Sequence, residues 1–475
     1  MIKKNFFALV ILALFFVTQS IAANTPYEIH VRIAGVKDTN LILAHHFADQ
    51  KYVDDTIRVG HDGWGVFKGD SLEGGIYLIA TPNMNYFEII ISEKEPKFTI
   101  ENDPADWVKN FKCTGSQENN VFYEYLRYIT VNNIAIQSLK PRLEANKDKK
   151  DSTEYYSKKI AALQKLNTDF VKTEIAKYPN LFISKLLNMM RDVEIPESPK
   201  NPDGTQVDSF FAYKYNRAHF WDNTDFSDHR ILRTPVLQSK IDYYIEKLTS
   251  PDPDSIIVAT DIIINKAKAD REVFRYVVLT MTHKYETSQI MCQEKIFVSL
   301  AQKYYLSGMA YWADTATMRK IKDRVNILKL CDCGATMIDM NLPDSSGVYH
   351  QLSAMKNDFV VVFFYADDCS HCKEVTPHMD SLYKVFSKKG IGFYAVDIND
   401  KRKEWIKFSN DNHMTWINVW DPNRTANFRW YYDVYSTPVI YVLDKNKKIL
   451  GKRIDYKQLG GYLDHLLDVQ KKLQK

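Results

Sequence analysis

The sequence contains little cysteine, with six residues among 475. That number is too small for a disulfide framework to replace a hydrophobic core in a chain of this length. Neither sign of charge is in excess, since 63 Lys and Arg face 59 Asp and Glu. A nearly balanced charge gives no reason to expect nucleic acid or an anionic surface as the partner. Beyond the N-terminus, no apolar run reaches the roughly 20 residues that a membrane span requires.

The N-terminus has the pattern of a secretory signal peptide. Two lysines form a basic start, twelve apolar residues occupy 6–17, and Ser20 and Ala22 take the −3 and −1 positions of a cleavage site. The apolar stretch is too short to span a bilayer. No cysteine follows it, so no lipid anchor is expected. The sequence predicts a signal peptide over 1–22, cleavage near Ala22, and a periplasmic, soluble mature protein.

The spacing of apolar residues divides the rest of the chain into three regions. Residues 24–104 contain short segments rich in β-branched and aromatic residues, and they predict an all-β sandwich of about seven strands. Residues 105–330 carry apolar residues at helical spacing and predict an all-α domain. Residues 331–475 alternate strands and helices around the apolar segment DFVVVFFYA, which is typical of an α/β domain. The first two regions contain no cluster that indicates catalysis.

Cys369 and Cys372 are separated by two residues and follow the apolar strand, where a helix begins. Unpaired N–H groups and the helix dipole favour a thiolate there, and only the thiolate attacks a disulfide. His371, when protonated, adds positive charge that favours the Cys369 thiolate and so tunes its acidity. The pattern predicts Cys369 as nucleophile, Cys372 as resolving thiol, and a redox-active Cys369–Cys372 disulfide between them.

Three features together resemble the thioredoxin family over residues 334–475. They are the strand–C-x-x-C–helix arrangement, Pro377 five residues after the second cysteine, and Thr437-Pro438 at the start of a later strand. The resemblance implies a thioredoxin fold and a cis-proline, Pro438, that leaves the Thr437 backbone free to bind an extended substrate chain. It implies protein thiols or disulfides as substrates, a membrane or periplasmic redox partner, and no cofactor. The domain order also resembles exported thioredoxin-like proteins of the Bacteroidota.

The sequence departs from the thioredoxin pattern beside the cysteines. Asp368 stands where the family usually has tryptophan, and Asp367 precedes it, so two acids oppose the effect of His371. Phe363 stands where thioredoxin has a buried acid in its central strand, so proton transfer requires another group or water. The Ser-His dipeptide between the cysteines resembles oxidising relatives more than reducing ones. The direction of electron flow stays open.

Other kinds of chemistry fit the residues less well. A peroxiredoxin requires Thr three residues and Pro seven residues before its reactive cysteine, where Ala366 and Val362 stand. A metal site could use Cys331, Cys333 and the C-x-x-C pair as four thiolates, but C-x-C is not the usual zinc spacing and no metal is expected. A third alternative is a partner-binding envelope protein in which residues 24–330 select the partner and the thioredoxin domain is secondary.

The four cysteines outside C-x-x-C allow several interpretations. Cys331 and Cys333 are either small apolar residues at a domain border or an auxiliary pair that exchanges with C-x-x-C. Cys113 and Cys292 are expected to be buried free thiols. The alternative for these two is a bridge that joins the β and helical domains.

Overall fold

The structure, a computed structural model, describes residues 26–399 and 401–473. The predicted signal peptide, residues 1–22, lies outside the described residues. The chain divides into two compact units, one up to Leu248 and one from Thr249 onward. Among the helices in the described ranges, none combines the length and the apolar character that crossing a membrane requires.

The first unit begins with two four-stranded sheets. Their strands are β1 (Tyr27–Ile33), β2 (Asn40–Phe47), β3 (Gln50–Arg58), β4 (Trp64–Gly69), β5 (Gly75–Ala80), β6 (Tyr86–Ile91), β7 (Lys97–Asn102) and β8 (Lys112–Thr114). One sheet has the order β4-β1-β7-β8 and the other β3-β2-β5-β6. In β1, Ile29, Val31 and Ile33 are buried at alternate positions, as expected for a strand with one face on a core. The strand β8 lies beyond residue 104, where the sequence predicted the β domain to end. Its three residues are too few to show the alternating pattern of a strand.

Five α-helices follow these sheets among the described residues of the first unit. They are α1 (Gln117–Ala145), α2 (Lys150–Lys177), α3 (Phe182–Met190), α4 (Phe211–His219) and α5 (Val236–Lys247). Ser116 caps α1 by accepting from the N–H of Asn119. The buried carboxylate of Glu118 accepts from the N–H groups of Phe182 and Ile183, at 2.7 and 2.9 Å, where α3 begins. Since the first N–H groups of a helix have no partner within it, these side chains fix where α1 and α3 start.

The second unit begins with four helices. They are α6 (Pro253–Ala267), α7 (Arg271–Glu286), α8 (Glu294–Leu300), which a π-helical turn at Ala301–Tyr305 continues, and α9 (Thr315–Leu330). Asp252, Asp270 and Asp314 cap α6, α7 and α9 by accepting from backbone N–H groups. The helical spacing over residues 105–330 predicted these four helices as well as the helices of the first unit. The predicted domain boundaries at 104 and 330 stay predictions, and the second of them falls inside this compact unit.

The rest of the second unit is an α/β domain. Its strands are β9 (Asn341–Pro343), β10 (Tyr349–Gln351), β11 (Phe359–Tyr365), β12 (Gly392–Asp397), β13 (Ile417–Trp420), β14 (Val439–Asp444) and β15 (Ile449–Lys452). Its helices are α10 (Ser370–Phe386), α11 (Arg402–Asp411), α12 (Phe428–Tyr431) and α13 (Tyr456–Leu473). Five strands form one sheet in the order β13-β12-β11-β14-β15, and β9 pairs with β10 separately.

The central strand β11 is buried along its whole length. It runs parallel to β12 and antiparallel to β14. Val361, Phe363 and Tyr365 belong to one apolar cluster, and the residues between them belong to a second cluster on the other face. Each such side chain contributes about 1.5–3 kcal/mol when it is fully buried. The predicted multidomain fold class is confirmed, with β-rich N-terminal sheets, a helical middle region and an α/β C-terminal domain.

Candidate redox site

Cys369 is the residue at which α10 begins. Its backbone is extended, with φ −78° and ψ 119°, and its Sγ accepts a hydrogen bond of 3.2 Å from the N–H of Cys372. The sulfur therefore takes the capping position that Ser or Asp usually occupies, where the helix dipole stabilises negative charge. Cys369 is partly exposed, whereas Cys372 is fully buried. Of the two residues, only Cys369 is accessible from solvent.

The thiol of Cys372 lies in the opposite environment. Burial raises the pKa of this thiol to about 12, and the hydrogen bond with Cys369 acts in the same direction. Cys372 therefore keeps its proton at neutral pH until its surroundings change. Both cysteines are free thiols in this structure. The nucleophile and resolver roles stay predictions, and the contrast in burial fits them.

The segment before β14 lies against Cys369. The thiol of Cys369 donates a hydrogen bond of 3.4 Å to the carbonyl oxygen of Thr437. The peptide bond between Thr437 and Pro438 is cis. The structure therefore brings Cys369 and Cys372 together with the Thr437-Pro438 pair. Cys369 and Thr437 are 68 residues apart in the sequence. The substrate-binding role of Thr437 and Pro438 stays a prediction.

Polar residues surround the start of α10 unevenly. His371 lies exposed on the first turn, and its tuning role stays a prediction. Asp368 is exposed but Asp367 is buried. The side-chain amide of Asn399 donates to both carboxylates, at 2.9 Å to Asp368. This amide holds the two acids together beside Cys369.

Asp397 is a buried acid that the interpretation of the sequence missed. It ends β12, pairs in register with Tyr365, and is 0% exposed. Burial raises the pKa of its carboxyl group to about 7, and the charges of Asp367 and Asp368 raise it as well. One carboxyl oxygen accepts from the N–H of Asn399 at 3.1 Å, and the other has no partner among the described residues. An acid that ends an apolar strand was the available signal.

The cysteines outside C-x-x-C correct the sequence predictions. Cys292 and Cys333 form a disulfide, with Cα atoms 5.5 Å apart. The expectation that Cys292 is a free thiol is therefore wrong, as are the bridge from Cys292 to Cys113 and the auxiliary pair of Cys331 with Cys333. Cys331 is a buried free thiol and Cys113 is a partly buried one.

The fold explains this pairing, because both partners lie beside β15. The N–H of Gly334 donates to the carbonyl of Ile449 at 2.7 Å, which fixes the chain next to Cys333. Lys452 lies 3.4 Å from Glu294, close to Cys292 in the sequence. The four-thiolate metal site is also wrong, since Cys333 is oxidised. In the described part of the chain, no group of three or more potential ligand side chains could hold a metal ion.

The fold and the site together define a class of protein. A buried central strand leads into a helix that begins at C-x-x-C, and a cis X-Pro bond before an antiparallel strand faces the first cysteine. This arrangement is a thioredoxin-like domain. Residues 333–451 match the AhpC/TSA family, and residues 144–329 match DUF5106, a domain of unknown function. The C-terminal part of the chain is therefore an AhpC/TSA-type thioredoxin-like domain.

Relatives of this domain are named thiol–disulfide oxidoreductases. The thiol-disulfide oxidoreductase ResA of Geobacillus kaustophilus is 28% identical over 116 residues, which cover 24% of this chain and 66% of that protein. The ResA of Bacillus subtilis is 26% identical over 109 residues, 23% of this chain and 60% of that protein. The chain thus spans less than two thirds of the length of these curated relatives.

Solved structures of bacterial proteins are similar as well. A domain of a "possible thiol-disulfide isomerase" from Cytophaga hutchinsonii is 36% identical and covers 30% of this chain and 95% of that one, with a TM-score of 0.28. A thioredoxin-like protein from Bacteroides caccae is 18% identical and covers 58% of this chain and 98% of that one, with a TM-score of 0.45.

Proposed function

We propose that this protein is an exported thiol–disulfide oxidoreductase that acts on cysteines of other proteins. The observation that carries the proposal is the difference between two neighbouring sulfurs. Cys369 is partly exposed at the start of α10, whereas burial raises the pKa of the Cys372 thiol to about 12. Thiol–disulfide exchange requires one accessible nucleophile and one protected thiol that acts second.

Reduction of a substrate disulfide proceeds in two exchanges. The Cys369 thiolate attacks one substrate sulfur, the substrate S–S bond breaks, and the other substrate sulfur leaves as a thiolate that takes up a proton. Cys372 then loses its proton and attacks the Cys369 sulfur of the mixed disulfide. The second substrate sulfur leaves, and the Cys369–Cys372 disulfide remains. The same steps in reverse oxidise a substrate dithiol.

The second exchange needs a group that accepts the proton of Cys372. We assign this role to Asp397, directly or through water. Its carboxyl group has a pKa of about 7, and groups that titrate near the working pH are the most effective general bases. Asp367 and Asp368, which precede Cys369, are close enough for their charges to raise this pKa. Thioredoxin has a buried acid in its central strand, where this chain has Phe363. We propose that Asp397 supplies the missing carboxylate from the neighbouring strand β12.

The substrate chain pairs with the backbone of Thr437. The 3.4 Å contact between the Cys369 sulfur and the Thr437 carbonyl supports this assignment, because a substrate sulfur attacked by Cys369 must pass the same backbone. An extended chain that adds to exposed backbone groups binds by main-chain hydrogen bonds and tolerates many side chains. The substrates are therefore protein thiols or disulfides, not one small molecule.

Export is supported by the N-terminal pattern of basic start, apolar stretch and small residues at 20 and 22. A secreted location places the C-x-x-C pair among the disulfides of other exported proteins. It also requires a membrane or periplasmic redox partner to regenerate the pair. Fractionation of cells that express the full chain should recover a form shortened by about 22 residues in the periplasm.

Reduction of insulin by the full chain with dithiothreitol tests the proposed activity. The wild-type protein should accelerate precipitation of the insulin B chain, and the Cys369→Ser variant should not. A wild-type rate equal to that of dithiothreitol alone would overturn the proposal.

A further inference from the structure

Asp433 is a fully buried acid that lies four residues before Thr437. Its backbone is left-handed, with φ 54°. Both terminal nitrogens of Arg324 donate to its carboxylate. Arg453 donates to the same carboxylate at 3.0 Å and to the Asp433 carbonyl at 3.1 Å. Lys452 lies 3.9 Å away, and we call these four residues the Asp433 cluster.

The cations of the Asp433 cluster come from two parts of the second unit. Lys452 and Arg453 stand at the end of β15 and belong to the α/β domain. Arg324 belongs to α9 and is 109 residues away from Asp433. It therefore lies within the stretch that matches the domain of unknown function, residues 144–329. Removal of a partner from a buried carboxylate is destabilising, so Arg324 fixes the position of Asp433 together with Lys452 and Arg453.

The segment from Asp433 to Thr437 is held at both ends. At its start, the Asp433 cluster fixes the carboxylate, and the N–H of Val434 donates to the carbonyl of Phe428 at 3.1 Å. At its end, β14 begins at Val439 and pairs with β11. The Thr437 carbonyl that contacts the Cys369 sulfur lies between these two anchors. A displacement of Asp433 therefore moves Thr437 relative to the sulfur.

We propose that Arg324 is a positioning residue for the C-x-x-C site. It holds Asp433, and through residues 433–437 it keeps the Thr437 backbone against Cys369, where an extended substrate chain binds. The inference rests on the proposed function and assigns a role to α9 in it. Arg324 touches neither reacting sulfur, so its effect falls on substrate affinity more than on the exchange itself.

Arg324→Gln in the full chain tests this inference. We expect KM for insulin to rise about tenfold with kcat changed less than about threefold, because misplacement of a binding group by an ångström weakens productive binding. The reaction with 5,5′-dithiobis(2-nitrobenzoate), a small disulfide without a peptide chain, should change less than about twofold. Arg324→Lys keeps the charge and should restore KM to within about threefold of wild type.

Lys389→Gln is the matched control, because it removes an exposed ion pair with Asp464 in the same domain. This variant should keep the wild-type KM. A folded Arg324→Gln protein with the wild-type KM would overturn the inference. An equal loss with insulin and with the small disulfide would overturn it too, since that result indicates general damage to the site.

Hydrogen exchange of the backbone amides supplies a readout independent of activity. In Arg324→Gln, amides of residues 433–437 should exchange about tenfold faster, whereas those of β11 stay unchanged. If Arg324→Gln does not fold, Arg324→Lys is measured instead, with an increase of about threefold expected. Unchanged exchange in 433–437 rejects the inference. A wild-type protein that fails to reduce insulin rejects the proposed function, while the exchange result still decides the role of Arg324.

Discussion

Two cysteine pairs lie in the second compact unit, and they differ in almost every respect. Cys369 and Cys372 share the start of one helix and are free thiols. Cys292 and Cys333 are 41 residues apart and form a disulfide. The first pair combines an accessible sulfur with a buried one, and acidic residues precede it in the sequence. The second pair joins two loops beside β15, far apart in sequence.

The proposed function assigns electron exchange to the first pair, and we infer that the second pair restrains the chain. A disulfide that closes a long loop reduces the entropy of the unfolded chain. A C-x-x-C pair at a helix start closes almost no loop and stabilises little by that route, but it presents a reactive sulfur. Substitutions that separate activity from stability therefore test the comparison.

The largest effect is expected from the nucleophile. Cys369→Ser should lower the rate of insulin reduction at least about 1,000-fold, because removal of the attacking atom removes the reaction path. The control is the double variant Cys292→Ser/Cys333→Ser, which should keep the rate within about twofold. Comparable losses of rate in both proteins would show that the two cysteine pairs do not differ in function.

The second effect concerns the free energy of unfolding. Loss of the Cys292–Cys333 disulfide should reduce it by about 4 kcal/mol, from the loop entropy of a separation of 41 residues. Urea denaturation of the Cys292→Ser/Cys333→Ser variant at neutral pH measures this change. Cys369→Ser, which breaks no disulfide in this structure, is the control. A change below about 1 kcal/mol would contradict the restraining role.

The third effect is the pH dependence of stability that arises from Asp397, the buried acid assigned to the C-x-x-C site. Burial raises the pKa of Asp397 from 3.8 to about 7, so the folded state disfavours the charged form. The contribution of Asp397 to the free energy of unfolding therefore falls as the pH rises from 3.8 towards 7. It falls by about 3 kcal/mol between pH 4 and pH 7.

Asp397→Asn removes this titration and should abolish that part of the pH dependence. Urea denaturation of the variant and of wild type at pH 4, 5, 6 and 7 measures the difference. The variant should also slow insulin reduction, since it cannot accept the proton of Cys372. Parallel stability profiles for the two proteins would refute the assignment of a buried, titrating Asp397.

The smallest effect is expected from His371. Its side chain is exposed, so solvent weakens the influence of its charge on Cys369. His371→Asn should slow alkylation of Cys369 by iodoacetamide about twofold at low ionic strength, and 1 M salt should reduce the difference because salt screens the charge. A difference that salt leaves unchanged would exclude a charge effect.

The sequence predicted the parts of the site that depend on local patterns. Seven consecutive apolar residues indicated β11, and the cysteines after them indicated the start of α10. Thr437-Pro438 was placed through its resemblance to a family, and the structure brings it to the Cys369 sulfur at 3.4 Å. Each of these signals lies within a few residues of the chain or within a known motif.

The features that the sequence did not predict depend on distant residues. Cys292 and Cys333 meet because two loops pack beside β15, and no spacing indicates that. The pKa of Asp397 is raised to about 7 because β12 places its carboxyl group in a buried position near the charge of Asp367. Arg324 reaches Asp433 across 109 residues. Periodicity reports the face of a helix, but it does not report which distant side chain that face meets.

Trapping of mixed disulfides tests the central claim most directly. The full chain with Cys372→Ser is incubated with oxidised insulin, and adducts are identified by mass spectrometry without reducing agent. We predict an insulin adduct on Cys369 in this variant, because the second exchange is blocked, and no adduct in Cys369→Ser. Equal adducts in both variants, or an adduct on Cys331 in place of Cys369, would contradict the assignment of Cys369 as nucleophile and Cys372 as resolving thiol.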